Sequence, residues 1–147
     1  MTENQVLGEI EKAERAPAPP AVERLILPKG ALIAYRKSGG LKFSSREIVV
    51  YPDGRISYGG TDAAKFMHER TTRKLNDAQI ARLRKTLARA NFLRVASAAG
   101  KPPADGFAHE IVARLGNQTH TVEAFDGNLP DSLTELLAQL SAWLPRA

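Results

Sequence analysis

Two glutamates are the residues whose type and spacing come nearest to catalytic chemistry in this sequence. If the chain forms a β-hairpin across Gly116-Asn117, Glu110 faces Glu123 with Cβ atoms about 5 Å apart. Facing carboxylates raise the pKa of one partner, as a general acid–base pair requires. Arg114 lies one strand-diagonal away and can neutralise the pair. We therefore interpret the two glutamates as part of a charge-compensated sheet surface rather than a catalytic dyad.

The three histidines do not predict a metal site. His109 and His120 fall on the same face of that hairpin, but His120 pairs with Ala113, four residues along the strand from His109. Four residues of strand span about 13 Å, which is too far for one shared ion, and His68 lies elsewhere. The absence of cysteine excludes disulfides, thiolate zinc sites and a cysteine nucleophile. We expect no metal and no cofactor.

The serine and glycine motifs do not predict an active site either. No serine stands in a Gly-x-Ser-x-Gly nucleophile elbow. Ser38-Gly39-Gly40 lacks the lysine spacing and the strand–loop–helix context of a phosphate-binding loop. It is therefore either a turn after a strand or an exposed recognition loop. Because no nucleophile, base and oxyanion hole come together, we predict that the protein is not an enzyme.

A basic segment at 70–94 carries eight basic side chains and one acidic side chain, in a chain of net charge +5. Such a patch could attract nucleic acid. No aromatic side chain that could stack on bases is interleaved with the candidate contacts, between Arg73 and Arg89. We favour a solvated helix face over nucleic-acid binding. The candidate contacts are Arg73, Arg82, Lys85 and Arg89.

The composition fits one globular domain with a tail. The chain has 147 residues, of which 43% are hydrophobic and 25% charged. No apolar run approaches the roughly 20 residues that cross a bilayer, and the polar, acidic N-terminus does not resemble a signal peptide. We expect a bacterial-type cytoplasmic protein without membrane insertion. Residues 1–29, with an Ala/Pro linker, are predicted to be a flexible or docking tail, and residues 30–147 the domain.

Hydrophobic alternation and turn signals predict an α+β domain with an antiparallel sheet and two packed helices, in the order β-β-β-(β)-α-β-β-α. The first helix begins at the N-cap Asn76, with Gln79 completing a capping box. The second follows Pro130. The strands are expected to be one that ends at Ser38-Gly39-Gly40, then 46–51, 55–58, an uncertain fourth at 65–73, and the hairpin strands 107–115 and 118–125.

Several motifs, taken in their order along the chain, resemble the emfourin family. The resemblance covers about residues 31–144. It implies a small cytoplasmic bacterial inhibitor of thermolysin-like (M4) zinc metallopeptidases such as protealysin, with an α+β fold and no catalytic residues of its own. The motifs are Tyr35–Gly40, the helix opening Leu75–Gln79, Ala90–Phe92, Ala104–Phe107, Thr119–Val122 and Asp126–Pro130.

Three functions remain open at the level of sequence. The favoured one is a protein-binding domain that inhibits or regulates such a peptidase through an exposed loop with an apolar anchor. The second is an accessory subunit of a larger complex, docked through residues 1–29. The least favoured is nucleic-acid binding through the basic segment. The proposed contact loop comprises Ser38, Gly39, Gly40, Leu41 and Phe43, with Leu41 or Phe43 as the anchor.

Overall fold

The computed structural model describes residues 24–40, 44–60 and 74–144. Within these ranges the chain forms five strands and two helices, which confirms the α+β class and the order of the elements. The region 65–73, predicted as an uncertain extra strand, lies outside the described residues. The strands are β1 (Ile33–Gly39), β2 (Ser44–Val50), β3 (Ile56–Gly60), β4 (Phe107–Leu115) and β5 (Gln118–Phe125), and the helices are α1 (Asp77–Arg89) and α2 (Thr134–Trp143).

The sheet is antiparallel, with the strand order β3-β2-β1-β4-β5. The β4–β5 hairpin has the predicted register, in which Leu115 pairs with Gln118 and Ile111 with Val122. β1 is the central strand and is paired along its whole length on both sides. Two backbone ladders therefore fix the end of β1 at Gly39, where the proposed contact loop begins.

The turn between β2 and β3 depends on one glycine. Gly54 has φ +96° and donates its backbone N–H to Tyr51 O at 2.9 Å. A Cβ at this position would lie 2.1 Å from Leu75 O. Only glycine fits there, because the turn packs directly against the backbone that leads into α1. The Pro-Asp-Gly turn predicted from the sequence is thus also a packing contact.

The helices cover one face of the sheet. α1 begins with the predicted capping box, in which the Asn76 side chain accepts from Gln79 N at 2.8 Å and the Gln79 side chain accepts from Asn76 N at 2.9 Å. Burying each leucine of such a core stabilises the fold by about 1.5–3 kcal/mol. Side chains that fill the space between helices and sheet include Ile33, Ile48, Ile111, Val122, Leu83, Leu87, Phe92, Leu136 and Leu140.

The opposite face of the sheet, here called the outer face, is partly covered by residues 24–29, which we call the strap. Leu25 of the strap is 8% exposed and packs on Ala34 of β1 and Val112 of β4. This second small cluster fixes the strap on the sheet immediately before the chain turns into β1. The remainder of the predicted tail, residues 1–23, lies outside the described residues.

Candidate partner-binding site

In the described part of the proposed contact loop, the backbone at Gly39 and Gly40 lies very close to the backbone at Gly106. Gly40 N donates to Gly106 O at 3.1 Å. Gly39 has φ +117°, and a Cβ on it would lie 2.7 Å from that same oxygen. Glycine is therefore required where β1 leaves the sheet. Ser38 pairs with Ala108 one step earlier in β1, whereas Leu41 and Phe43 lie outside the described residues.

Phe107 forms the floor beneath this loop, a role that sequence reasoning missed. A Cβ on Gly40 would lie 3.0 Å from two carbons of the Phe107 ring. The Lys37 ammonium lies 4.4 Å from the centre of the ring, a cation–π contact. Phe107 N donates to Asp126 Oδ2 at 3.0 Å. The motifs around Phe107 and Asp126 were visible in the sequence, but nothing in them indicated that they meet at the end of β1.

Behind this floor lies a partly buried row of hydrogen-bonded polar side chains. Tyr35 Oη lies 2.7 Å from His109 Nδ1, and His109 Nε2 lies 2.8 Å from Asp126 Oδ1. Ser141 Oγ of α2 is 3.4 Å from the same tyrosine oxygen. These four hydrogen-bonded side chains link β1, β4, the turn after β5 and α2. They therefore fix the end of the sheet where the contact loop starts.

The protonation states of Tyr35 and Asp126 follow from burial and hydrogen bonding. Burial raises the pKa of Tyr35 to about 12, so its hydroxyl stays protonated. Asp126 is partly desolvated, which opposes ionisation, but hydrogen bonds from His109 and from Phe107 N hold its pKa below the usual range. Asp126 is therefore a carboxylate at neutral pH. The Asp126 carboxylate accepts hydrogen bonds from both His109 and Phe107 N, so it ties the polar side chains to the backbone at the start of β4.

The facing glutamates are present in the predicted register, and Glu110 is paired with Glu123 on the adjacent strand. The cation beside Glu110 is Arg36 of β1, not the predicted Arg114: Arg36 Nη2 lies 2.7 Å from Glu110 Oε1. Arg36 also contacts Glu47 of β2 at 3.2 Å. Arg36 is 8% exposed, so this is a nearly buried ion-pair network that spans three strands.

The other histidine of the hairpin, His120, is held by contacts with the segment after α1. His120 Nε2 lies 2.7 Å from Val95 O, and its ring meets Phe92 edge-on with centroids 5.6 Å apart. Among residues 24–40, 44–60 and 74–144, no three His, Cys, Asp or Glu side chains cluster as metal ligands. His68 lies outside these ranges.

The predicted basic patch is brought together only in part. Arg82, Lys85 and Arg89 are exposed on α1, and Arg89 Nη2 lies 2.7 Å from Glu135 Oε1 of α2. Arg73 lies outside the described residues. These cations form a solvent-facing side of the helix, and nucleic-acid binding through them stays the least favoured alternative.

Comparison with known proteins gives one family. The sequence model of the Emfourin family matches residues 58–141, more than half of the chain. No curated protein matches the chain. The matched region runs from β3 through α1 and the β4–β5 hairpin into α2, so it includes Phe107, His109 and Asp126 at the base of the contact loop. In the part of the chain that the structure describes, no helix is long and apolar enough to cross a membrane.

Proposed function

Because the chain belongs to the emfourin family, we propose that it is a non-catalytic protein that binds and inhibits a thermolysin-like zinc metallopeptidase. The proposed contact is the loop that comprises Ser38, Gly39, Gly40, Leu41 and Phe43, with Leu41 or Phe43 inserted into the peptidase as an apolar anchor. The proposal includes the bacterial cytoplasmic setting that the resemblance implies. It assigns no cofactor and no catalytic group to the chain.

The observation that supports this proposal is the fixed base of the loop. Gly39 and Gly40 are pressed against Gly106 and Phe107, and Phe107 is itself fixed by Asp126 and Lys37. An inhibitor binds more tightly when its contact loop is ordered before binding, because less conformational entropy is lost on association. A loop that emerges from two close-packed backbones meets that requirement at its root.

Substitution of the anchor tests the proposal. Leu41→Asp should raise the inhibition constant against a purified thermolysin-like peptidase by about 30-fold or more, since losing a central apolar anchor costs about 2 kcal/mol or more. Ile26→Asp is the matched control, because Ile26 is 76% exposed and belongs to the strap rather than to the proposed contact loop. Equal inhibition by the two variants would contradict the role of the loop, and no inhibition by the unmodified chain would remove the peptidase target.

The alternative function, an accessory subunit docked through its N-terminal tail, has a specific structural basis in the strap. Leu25 anchors the root of the tail on the sheet, so a tail-bound partner would be held at a fixed position. Removing residues 1–23 preserves that anchor. The inhibitor should keep its inhibition constant after this truncation, whereas a tail-docked subunit should lose its complex.

A further inference from the structure

A pocket of about 210 Å³ lies on the outer face of the sheet, beside the strap. One part of its lining is the cross-strand row Ser38, Ala108 and Phe125. The next row along the strands contributes Arg36 and Glu110, already joined by their ion pair. Glu123 of the same row and Arg24 of the strap also line the pocket. The pocket therefore has a small, largely apolar end near the end of β1 and a charged side on which Arg36 and Glu110 are paired.

The chain itself leads into this pocket. Arg24, the first described residue, borders it. Leu25 N donates to Glu110 Oε2 at 3.3 Å, and the Leu25 side chain is buried on the outer face. Since consecutive Cα atoms are 3.8 Å apart, residues 22 and 23 must lie within about 8 Å of Arg24. The segment immediately before the strap thus starts at the edge of the pocket.

The sequence of that segment suits the pocket. Residues 19–22 are Pro-Pro-Ala-Val, and such proline-rich chain favours the polyproline II conformation, which has three residues per turn. In that conformation, Pro19 and Val22 would share a face with the buried Leu25. These two are apolar, and Ala108 and Phe125 are the apolar side chains in the pocket lining.

We propose that residues 19–23 extend the strap across the outer face and that Val22 fills this pocket. The proposal does not depend on the proposed function. It does have a functional consequence, because Ser38, which lines the pocket, is also the first residue of the proposed contact loop. Residues 1–18 would then leave the sheet at the same end as that loop.

Disulfide trapping in the full chain tests the docking directly, since the natural sequence has no cysteine. Cysteine is placed singly at positions 19 to 23 and combined with Ala108→Cys in the pocket or, as matched control, with Thr121→Cys. Thr121 is exposed on β5, on the outer face but outside the pocket. A disulfide joins two residues only when their Cα atoms lie within about 7 Å. If the segment is docked, Val22→Cys should therefore cross-link to Ala108→Cys about tenfold faster than to Thr121→Cys.

A negative cross-linking result would overturn the proposal. If no position from 19 to 23 cross-links to Ala108→Cys faster than to Thr121→Cys, the segment does not occupy the pocket. Thermal unfolding gives a second measurement that needs no cross-link. Val22→Asp should lower the melting temperature, whereas Ala21→Asp, on another side of a three-residue turn, should not. Equal melting temperatures would also overturn the proposal.

Discussion

Tyr35 Oη and His109 Nδ1 lie 2.7 Å apart within the apolar core, on two neighbouring strands. Their rings are parallel within 3°, with centroids 6.0 Å apart. Both side chains are buried, and His109 is bonded on its far side to Asp126. The pair is thus the central part of a polar connection that joins the core to the backbone beneath the contact loop.

Removing the tyrosine hydroxyl tests the energetic weight of this connection. Tyr35→Phe leaves His109 Nδ1 buried without its hydrogen-bond partner, so we expect the free energy of unfolding to fall by about 1–3 kcal/mol. Urea unfolding of the full chain measures the change. Ser141→Ala is the control, because its contact with the same oxygen is long at 3.4 Å, and we expect it to cost less. A Tyr35→Phe variant no less stable than Ser141→Ala would contradict the assignment.

Local features of this fold were predictable from the sequence, whereas long-range polar contacts were not. The hairpin register follows from a two-residue turn, and the capping box at Asn76 from a three-residue spacing, so neither depends on the rest of the chain. The Arg36–Glu110 and Tyr35–His109 contacts each join residues 74 positions apart. They exist only because β1 pairs with β4, and hydrophobic alternation does not specify which strands become neighbours.

The same distinction between local motifs and long-range contacts applies to the candidate site. Ser38, Gly39 and Gly40 were identified from a local motif, and the structure places them at the end of β1. Phe107 and Asp126 were assigned only to a strand start and a turn. Their role beneath Gly40 comes from β1–β4 and β4–β5 pairing together. The hydrogen bond from Phe107 N to the Asp126 carboxylate joins residues 19 positions apart. No local sequence motif indicates such a contact.

Asp126 should make stability depend on pH in the acid range. Its pKa is lower in the folded chain than the ordinary value of 3.8, so its stabilising contribution is present above that value and is lost as pH falls through the folded pKa. Asp126→Asn removes the charge at every pH. The difference in unfolding free energy between the natural chain and this variant should therefore be largest near neutral pH and shrink below about pH 4. Urea titrations at several pH values measure it, and a difference constant with pH would contradict the prediction.

Arg36 should matter far more to stability than an exposed arginine with equally good geometry. Arg36→Met leaves Glu47 and Glu110 without their shared cation in a nearly buried site, and we expect a loss of about 3–5 kcal/mol. Arg55→Met is the matched control. Arg55 pairs with Asp53 at 2.8 Å, but both side chains are more than half exposed, so its removal should cost less than about 1 kcal/mol.

Chemical unfolding of both arginine variants decides this prediction. The double variant Arg36→Met/Glu110→Gln should recover part of the loss, because it removes the more buried of the two carboxylates that Arg36→Met leaves without a cation. Similar losses for Arg36→Met and Arg55→Met would show that the buried network contributes no more than a surface pair.

Gly40→Ala should lower both the free energy of unfolding and the proposed inhibitory activity. Gly40 has φ +78°, and the added methyl group would lie 3.0 Å from the Phe107 ring. Gly116→Ala is the control, since φ is +66° but nothing lies within 4 Å of its Cβ position. Both variants should lose about 1–2 kcal/mol from the left-handed backbone conformation. Only Gly40→Ala should lose a further ~1–3 kcal/mol from overpacking.

The two glycine variants should also separate in binding. Displacing Phe107 moves the base of the contact loop, so Gly40→Ala should weaken inhibition of a thermolysin-like peptidase, while Gly116→Ala, at the β4–β5 turn, should leave it unchanged. The double variant Gly40→Ala/Phe107→Leu makes room for the methyl group and should narrow the stability gap between the glycine variants. Equal unfolding free energies and equal inhibition constants for Gly40→Ala and Gly116→Ala would show that contact between the loop base and Phe107 does not position the loop.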